Sequence, residues 1–245
     1  MSTERTLSNN KISQFILRID LTPESRINFT QLVDDLKSEY GSFSTEIKNN
    51  IEVNYNIQSQ RVEVKNNNYL FYNLGTPPSV VLKLDSLSKS ITMLSNHYDN
   101  KNIYTDRFRR MKDLIIAHGQ NVKAQRIGMR FVNSFDGLKR TEISKILEPN
   151  YAKIIRSSLE NDNISRAMVV HEYQNGSNRA RVQFGIPNKF YPSIISSLDL
   201  VLDIDVYESG IMPITEWEDN IDEYNHNAYD LFINYIKDTF IESLK

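Results

Sequence analysis

The chain has 245 residues, of which 40% are apolar and 24% charged, a composition that suits one large or two small globular domains and excludes disordered and fibrous classes. It holds no cysteine, which removes disulfide frameworks, thiolate zinc sites and cysteine nucleophiles together. The net charge of −2 hides a dipolar chain, because residues 101–140 carry ten basic side chains against three acids, whereas residues 199–245 carry twelve acids against two lysines.

Such asymmetry forms either separate binding faces or two faces that neutralise each other within the fold. The opening MSTERTLSNNKISQFILRID has no apolar core of signal-peptide length, and no later run approaches the roughly 20 apolar residues of a membrane helix. A soluble, cytoplasmic protein without membrane association is expected.

Ile12 to Asp20 reads as a strand. Thr22-Pro23-Glu24 then offers an N-cap, a proline at the first helical position and an acid in the first turn, and Phe29, Leu32, Val33, Leu36 and Tyr40 recur at helical spacing up to a stop at Gly41. Residues 51–57, 60–65, 69–74, 80–85 and 89–95 have β-branched or aromatic content and are separated by Asn-rich or Pro-containing turns, which predicts an antiparallel meander. Residues 104–118 form a helix with Phe108, Met111, Leu114 and Ile115 inward, ended by Gly119.

The second half opens on a strand, Arg126 to Asn133, with Ile127, Met129 and Phe131 on one face and the arginines on the other. Thr141-Glu142 starts a helix that Pro149 kinks or interrupts before Tyr151, Ile154, Ile155 and Leu159 resume the apolar stripe. Strands follow at 164–173, 179–184 and 198–207, with Asn175-Gly176 as a hairpin turn. One last helix, 224–244, has an apolar face of Ala228, Leu231, Phe232, Tyr235, Ile236, Phe240 and Leu244 that must be buried.

An offset of 120 positions lays residues 80–85 on 200–205, Arg61-Val62 on Arg181-Val182, Asp99-Asn100 on Asp219-Asn220 and Tyr104 on Tyr224. Each half therefore reads as strand, helix, antiparallel meander, helix. Two such halves, 1–120 and 121–245, predict one globular α+β unit with a long curved sheet and helices on one face. The element order is similar to that of TATA-box-binding-protein-like and helix-grip folds.

The eight glycines never fall closer than nine positions apart, so neither a phosphate-cradling loop nor a dinucleotide fingerprint can be written. His97, His118, His171 and His226 are scattered, His171-Glu172 lacks the second histidine of a helical zinc site, and no G-x-S-x-G elbow occurs. No catalytic residue is assigned on this basis. Asp203 and Asp205 fall two apart on a strand, hence on one face about 7 Å apart. Two readings stay open for them: a divalent cation such as Mg²⁺, with Asp199 further along, serving phosphoryl or nucleotidyl transfer, or ion pairs with Arg126 and Arg130 on a solvated face.

Arg107, Arg109 and Arg110 open one helix while Arg126 and Arg130 lie on the next strand, and planar guanidinium groups suit phosphate or carboxylate recognition. Cations at a helix start oppose its dipole, which asks for an anionic partner: nucleic acid, a partner protein or the acidic C-terminal segment of this chain. No aromatic cluster interleaves with the basic segment as a stacking platform would.

The strands RIGMRFVN and LVLDIDVY and the terminal NAYDLFINYIKDTFIESL together resemble a sporadically distributed bacterial family of unknown function, about this long throughout, marked by R-I-G-x-R-[FY]-[VI]-N and L-D-[IL]-D strands. The resemblance spans the whole chain, although the family's proline-rich opening is absent here. It implies no catalytic or ligand residues, and the family's patchy distribution implies mobile or antiviral-defence loci. The expected function is a non-catalytic binding or scaffold protein without a cofactor, engaging a protein partner encoded by an adjacent gene in a bacterial antiviral-defence system. A Mg²⁺-dependent enzyme at Asp203 and Asp205 and a nucleic-acid module at 101–140 are the alternatives.

Overall fold

The computed structural model describes residues 9–39, 44–56, 61–73, 80–85, 88–96, 98 and 101–245. In chain order the elements are β1 (Ile12–Leu21), β2 (Arg26–Ile27), α1 (Phe29–Glu39), β3 (Ser44–Asn56), β4 (Arg61–Asn73), β5 (Val80–Asp85), β6 (Ser90–Ser95), α2 (Lys101–Ala117), β7 (Gly119–Gln120) and β8 (Lys123–Phe135). They continue with α3 (Arg140–Ile146), α4 (Pro149–Ser158), β9 (Ala167–Asn175), β10 (Asn178–Ile186), β11 (Leu200–Pro213), α5 (Glu216–Tyr235) and α6 (Asp238–Glu242). The protein is a mixed α+β fold, and no helix among the described residues is long and apolar enough to cross a membrane.

Alternation decides the faces of the central strands. β1 buries Phe15, Leu17, Ile19 and Leu21, and β8 buries Ile127, Met129 and Phe131 on the same side, as the antiparallel register Phe15↔Phe131, Leu17↔Met129 and Ile19↔Ile127 requires. Leu200, Leu202, Ile204 and Val206 of β11 and Val182 and Phe184 of β10 extend this apolar layer, and α5 packs over β8 and β11.

The large sheet has the order β3-β4-β5-β6-β1-β8-β11-β10-β9, with every neighbouring pair antiparallel. Outward from the central β1–β8 pair, the first half runs β6, β5, β4, β3 and the second runs β11, β10, β9. The 120-residue offset sets α2 against α5, where Tyr104 and Tyr224 are both fully buried. It does not match the strands by position, because β5 stands second from β1 whereas its offset counterpart β11 stands next to β8.

Several boundaries differ from the sequence reading. Helix α1 begins at Phe29 rather than Pro23, because the Thr22 and Ser25 hydroxyls bond each other at 3.1 Å, Thr22 N–H donates to the Lys123 carbonyl at 2.9 Å, and β2 pairs with β7. The cap is Asn28, whose Oδ1 accepts from Gln31 N–H at 3.3 Å. The predicted stop at Gly41 lies outside the described residues. Strands expected at 60–65 and 69–74 are one strand, since β3 pairs with β4 continuously through Asn66, Asn67 and Asn68.

The proline at 149 does interrupt its helix: Pro149 is the first residue of α4, where its missing N–H leaves nothing unpaired. The hairpin loop is Gly176-Ser177, one position later than predicted, because Asn175 pairs with Asn178. The expected single terminal helix is broken after Tyr235. There Ile236 is extended and bridges Leu147 at the α3–α4 junction, Lys237 N–H donates to the Ile146 carbonyl and Glu148 N–H to the Tyr235 carbonyl, both at 2.9 Å. Two helix junctions thus satisfy each other's backbone groups.

Candidate functional site

The sheet face opposite the core carries Arg126, Arg130, Asp203 and Asp205. Reading across the register, Arg130 of β8 stands opposite Asp205 of β11, Asp205 opposite Arg181 of β10, and Arg181 opposite Glu172 of β9. Charge alternates over four adjacent strands, and each directly opposed pair of unlike sign contributes about 0.2–1 kcal/mol.

The shortest contacts run diagonally. Arg130 donates from Nε and Nη2 to the two oxygens of Asp203 at 2.7 and 2.5 Å, a two-point fork. Arg126 Nη2 lies 2.8 Å from both oxygens of Asp205 while its Cζ sits 4.4 Å from the Tyr207 ring centroid. Asp203 raises the Arg130 pKa above its ordinary value, chiefly through that hydrogen bond. Asp205 is also raised, because burial outweighs the pull of Arg126 and Arg130. Asp199, the third acid proposed for a cation, is elsewhere engaged: it accepts from Gly137 N–H at 2.9 Å and pairs with Lys189 at 3.0 Å, and these bonds hold it below the usual carboxylate range. A cation at Asp203 and Asp205 would have to displace both guanidinium groups.

The arginines of α2 belong to a different surface. Arg109 pairs with Asp106 at 2.6 Å and with Glu218 of α5 at 3.7 Å, and the buried Lys112 also binds Glu218. Arg110 is exposed, and Arg107 is half-buried with an Nη1 that has no hydrogen-bond partner among the described residues. The structure brings Arg126 and Arg130 together with Asp203 and Asp205, and it sets Arg109 against the acidic α5. Contacts between the basic 101–140 segment and the acidic C-terminal segment therefore occur on both the sheet face and the helical layer.

Compared with known proteins, this chain matches no family model and no curated sequence.

Two features escaped the sequence reading. The first is an aromatic cluster on the core side of β9, where the hydroxyl of the fully buried Tyr235 bonds His171 Nδ1 at 2.6 Å and the Tyr173 hydroxyl at 2.7 Å, with Tyr151 stacked at 4.1 Å between centroids. Burial, then the Tyr173 contact, pushes the Tyr235 hydroxyl far above its ordinary value, so it acts as a neutral donor and acceptor.

The second is the loop from Pro187 to Leu198 between β10 and β11. Asn188 is buried, has φ 57, and donates from Nδ2 to the carbonyls of Ser165 at 2.8 Å and Ser193 at 2.7 Å, while its Oδ1 accepts from Phe190 N–H at 3.1 Å. This anchor displays Phe190 at 65%, Tyr191 at 55% and Ile194 at 53% exposure. Arg166 donates to the Pro187 carbonyl at 3.0 Å and stacks its guanidinium 4.2 Å over Tyr191. Ile194 also lines an open cleft of about 510 Å³ shared with Leu138, Leu159, Leu198, Arg140 and Asp162. The pair Pro187-Asn188 and the run Phe190-Tyr191-Pro192 are the sequence signals of this turn, but exposure of its aromatics follows only from the tertiary fold.

Proposed function

We propose that this chain is a non-catalytic binding protein whose 187–198 loop engages a protein partner. One observation carries the reading: three large apolar side chains, Phe190, Tyr191 and Ile194, are held out into solvent by a buried, fully bonded Asn188. A rigid exposed aromatic anchor contributes contact area at low ordering cost, which is the chemistry of interface hot spots. The engagement of both candidate acids by arginines supports a binding role over a hydrolytic one.

On this reading the scaffold is a tandem duplication in the manner of TATA-box-binding-protein-like or helix-grip folds, acting in the cytoplasm. The matching strand order outward from β1 and β8 supports duplication. The strand patterns shared with a patchily distributed bacterial family favour a partner encoded by an adjacent gene of an antiviral-defence system.

Co-expression with the products of adjacent genes tests this, read by affinity capture and size-exclusion chromatography. A stable complex that Phe190→Ala with Tyr191→Ala abolishes, at unchanged Tm, is the expected result. A complex indifferent to that double substitution, or a solitary monomer with measurable turnover, rejects it.

A further inference from the structure

Among the described residues the large sheet ends on β9. This strand pairs with β10 at all nine residues from Ala167 to Asn175, in an unbroken register, and among the described residues no other strand lies beyond it. Alternate backbone N–H and C=O groups of β9 therefore face outward. Proteins ordinarily blunt such an edge with charged side chains, especially lysine, with proline or with a bulge; AMVVHEYQN holds no lysine or proline, pairs without a bulge, and carries Glu172 as its one charge. It instead exposes an apolar side chain on each face of the sheet, Val170 at 43% on the charged face and Tyr173 at 42% on the core face.

We infer that the free edge of β9 is a strand-addition site that takes an extended, acidic segment of a partner protein, with alternate apolar side chains. This rests on the partner-binding reading above and names the chemistry of that partner. Strand addition draws affinity from main-chain hydrogen bonds and specificity from alternate side chains.

Charge selects the occupant. The β9–β10 hairpin with its leading residue carries Arg166, Arg179 and Arg181 against Glu172 alone, within a chain of net charge −2. Arg181 lies 3.8 Å from Glu172 and both are largely exposed, whereas exposed Arg179 stands between Tyr207 and Gln174 with no carboxylate opposite it. A second copy of this chain would bring together two hairpins that each carry net positive charge, and this general repulsion disfavours self-pairing. The edge is also continuous with the loop: Arg166, immediately before β9, is stacked on Tyr191. The loop that displays Phe190 and Tyr191 therefore meets the start of β9.

The test uses two fluorescein-labelled peptides as long as β9, one alternating valine with glutamate and the other valine with lysine. Anisotropy titration against the intact protein is combined with amide hydrogen exchange and light scattering. The valine–glutamate peptide is expected to bind at least about tenfold more tightly than its lysine counterpart and to slow exchange across 167–175, and Val170→Asp is expected to weaken it about tenfold. Arg179→Glu, at an exposed position, has the same effect should Val170→Asp disturb the fold.

Equal affinities, failure of both peptides to bind, or binding that leaves β9 exchange unchanged overturns the inference. So does a concentration-dependent dimer that protects β9, or β9 already protected in the free monomer, since a second copy or this chain itself then fills the edge. None of these results touches the loop reading, which is decided separately by partner capture with the Phe190 and Tyr191 double variant.

Discussion

Arg126 reaches Asp205 over the face of Tyr207, passing a position where β8 has no side chain: Gly128 stands directly opposite Tyr207. A Cβ at Gly128 would lie 2.6 Å from Tyr207 Cβ and 2.8 Å from the Val206 carbonyl oxygen, closer than any real contact allows. The glycine is what permits β11 and its aromatic ring to approach β8, and the ring in turn supports the guanidinium.

Gly128→Ala is therefore expected to push β11 from β8 and to cost about 1–3 kcal/mol, as overpacking does. Urea denaturation measures it. A loss below 0.5 kcal/mol, within the usual range of neutral surface changes, would mean that the strands yield freely.

Arg130 and Asp203 form the best-shaped ion pair on the sheet, and the Asp203 side chain is only 12% exposed. Arg130→Ala leaves that carboxylate without its fork and should destabilise by about 1.5–3 kcal/mol. In a double-mutant cycle with Asp203→Ala the combined loss should be smaller than the sum of the two single losses. The exposed Arg109 and Arg110, replaced together by alanine, should cost no more than about 1 kcal/mol per ion pair. Additive losses at Arg130 and Asp203 would show that the fork contributes nothing.

Asp199 supplies the acid-range signature. Its pKa is lowered by the Gly137 N–H first and then by Lys189, so the folded state holds its proton less readily than the unfolded chain. The stabilisation is present above the unfolded value, near 3.9, and is lost as pH falls through the lower folded value. Asp199→Asn should lower Tm at pH 7 and converge with the parent as pH falls through the lowered folded value. Asp205, raised by burial, has the opposite sign: its contribution falls as pH rises from the unfolded to the folded value. A Tm difference for Asp199→Asn that does not change with pH would rule out this linkage.

The parts of the fold set by periodicity were legible in the sequence. Ile127, Met129 and Phe131 point inward on β8 while Arg126 and Arg130 point outward, and Phe108, Met111, Leu114 and Ile115 are buried on α2, all as spacing alone demands. The pairing of Asp203 and Asp205 with these arginines was one of two readings, and only the strand register brings the partners into reach. Boundaries failed where a tertiary contact overrode a local signal: Thr22 bonds Ser25 and Lys123 instead of capping a helix, and Ile236 leaves the terminal helix to bridge Leu147. The Tyr235 network joins residues 62 and 64 apart in sequence, a distance over which no motif speaks.

Tyr235→Phe isolates that network without changing shape. Its hydroxyl is fully buried and serves both His171 and Tyr173, so its removal leaves two polar groups short of a partner and should cost about 1–3 kcal/mol. Tyr173→Phe should cost less, because Tyr173 is 42% exposed and water replaces its bond. Equal losses in urea denaturation would show that Tyr235 gains nothing from burial of the pair.

Asn188 decides whether the aromatic loop is a rigid docking element. Its side chain makes three hydrogen bonds to the backbone of Ser165, Ser193 and Phe190, and its φ of 57 is a conformation that asparagine tolerates and alanine resists. Asn188→Gly keeps that backbone freely and deletes only the bonds, leaving carbonyls and an amide short of partners at a cost of about 1–3 kcal/mol. Asn188→Ala should lose about 1–2 kcal/mol more, the left-handed penalty of a residue with a Cβ. In both variants the amides of residues 189–195 should exchange faster while β8 and β11 keep their protection, and capture of the partner should fall with the loop's order. Unchanged exchange across 189–195 would mean that the loop holds its shape without Asn188.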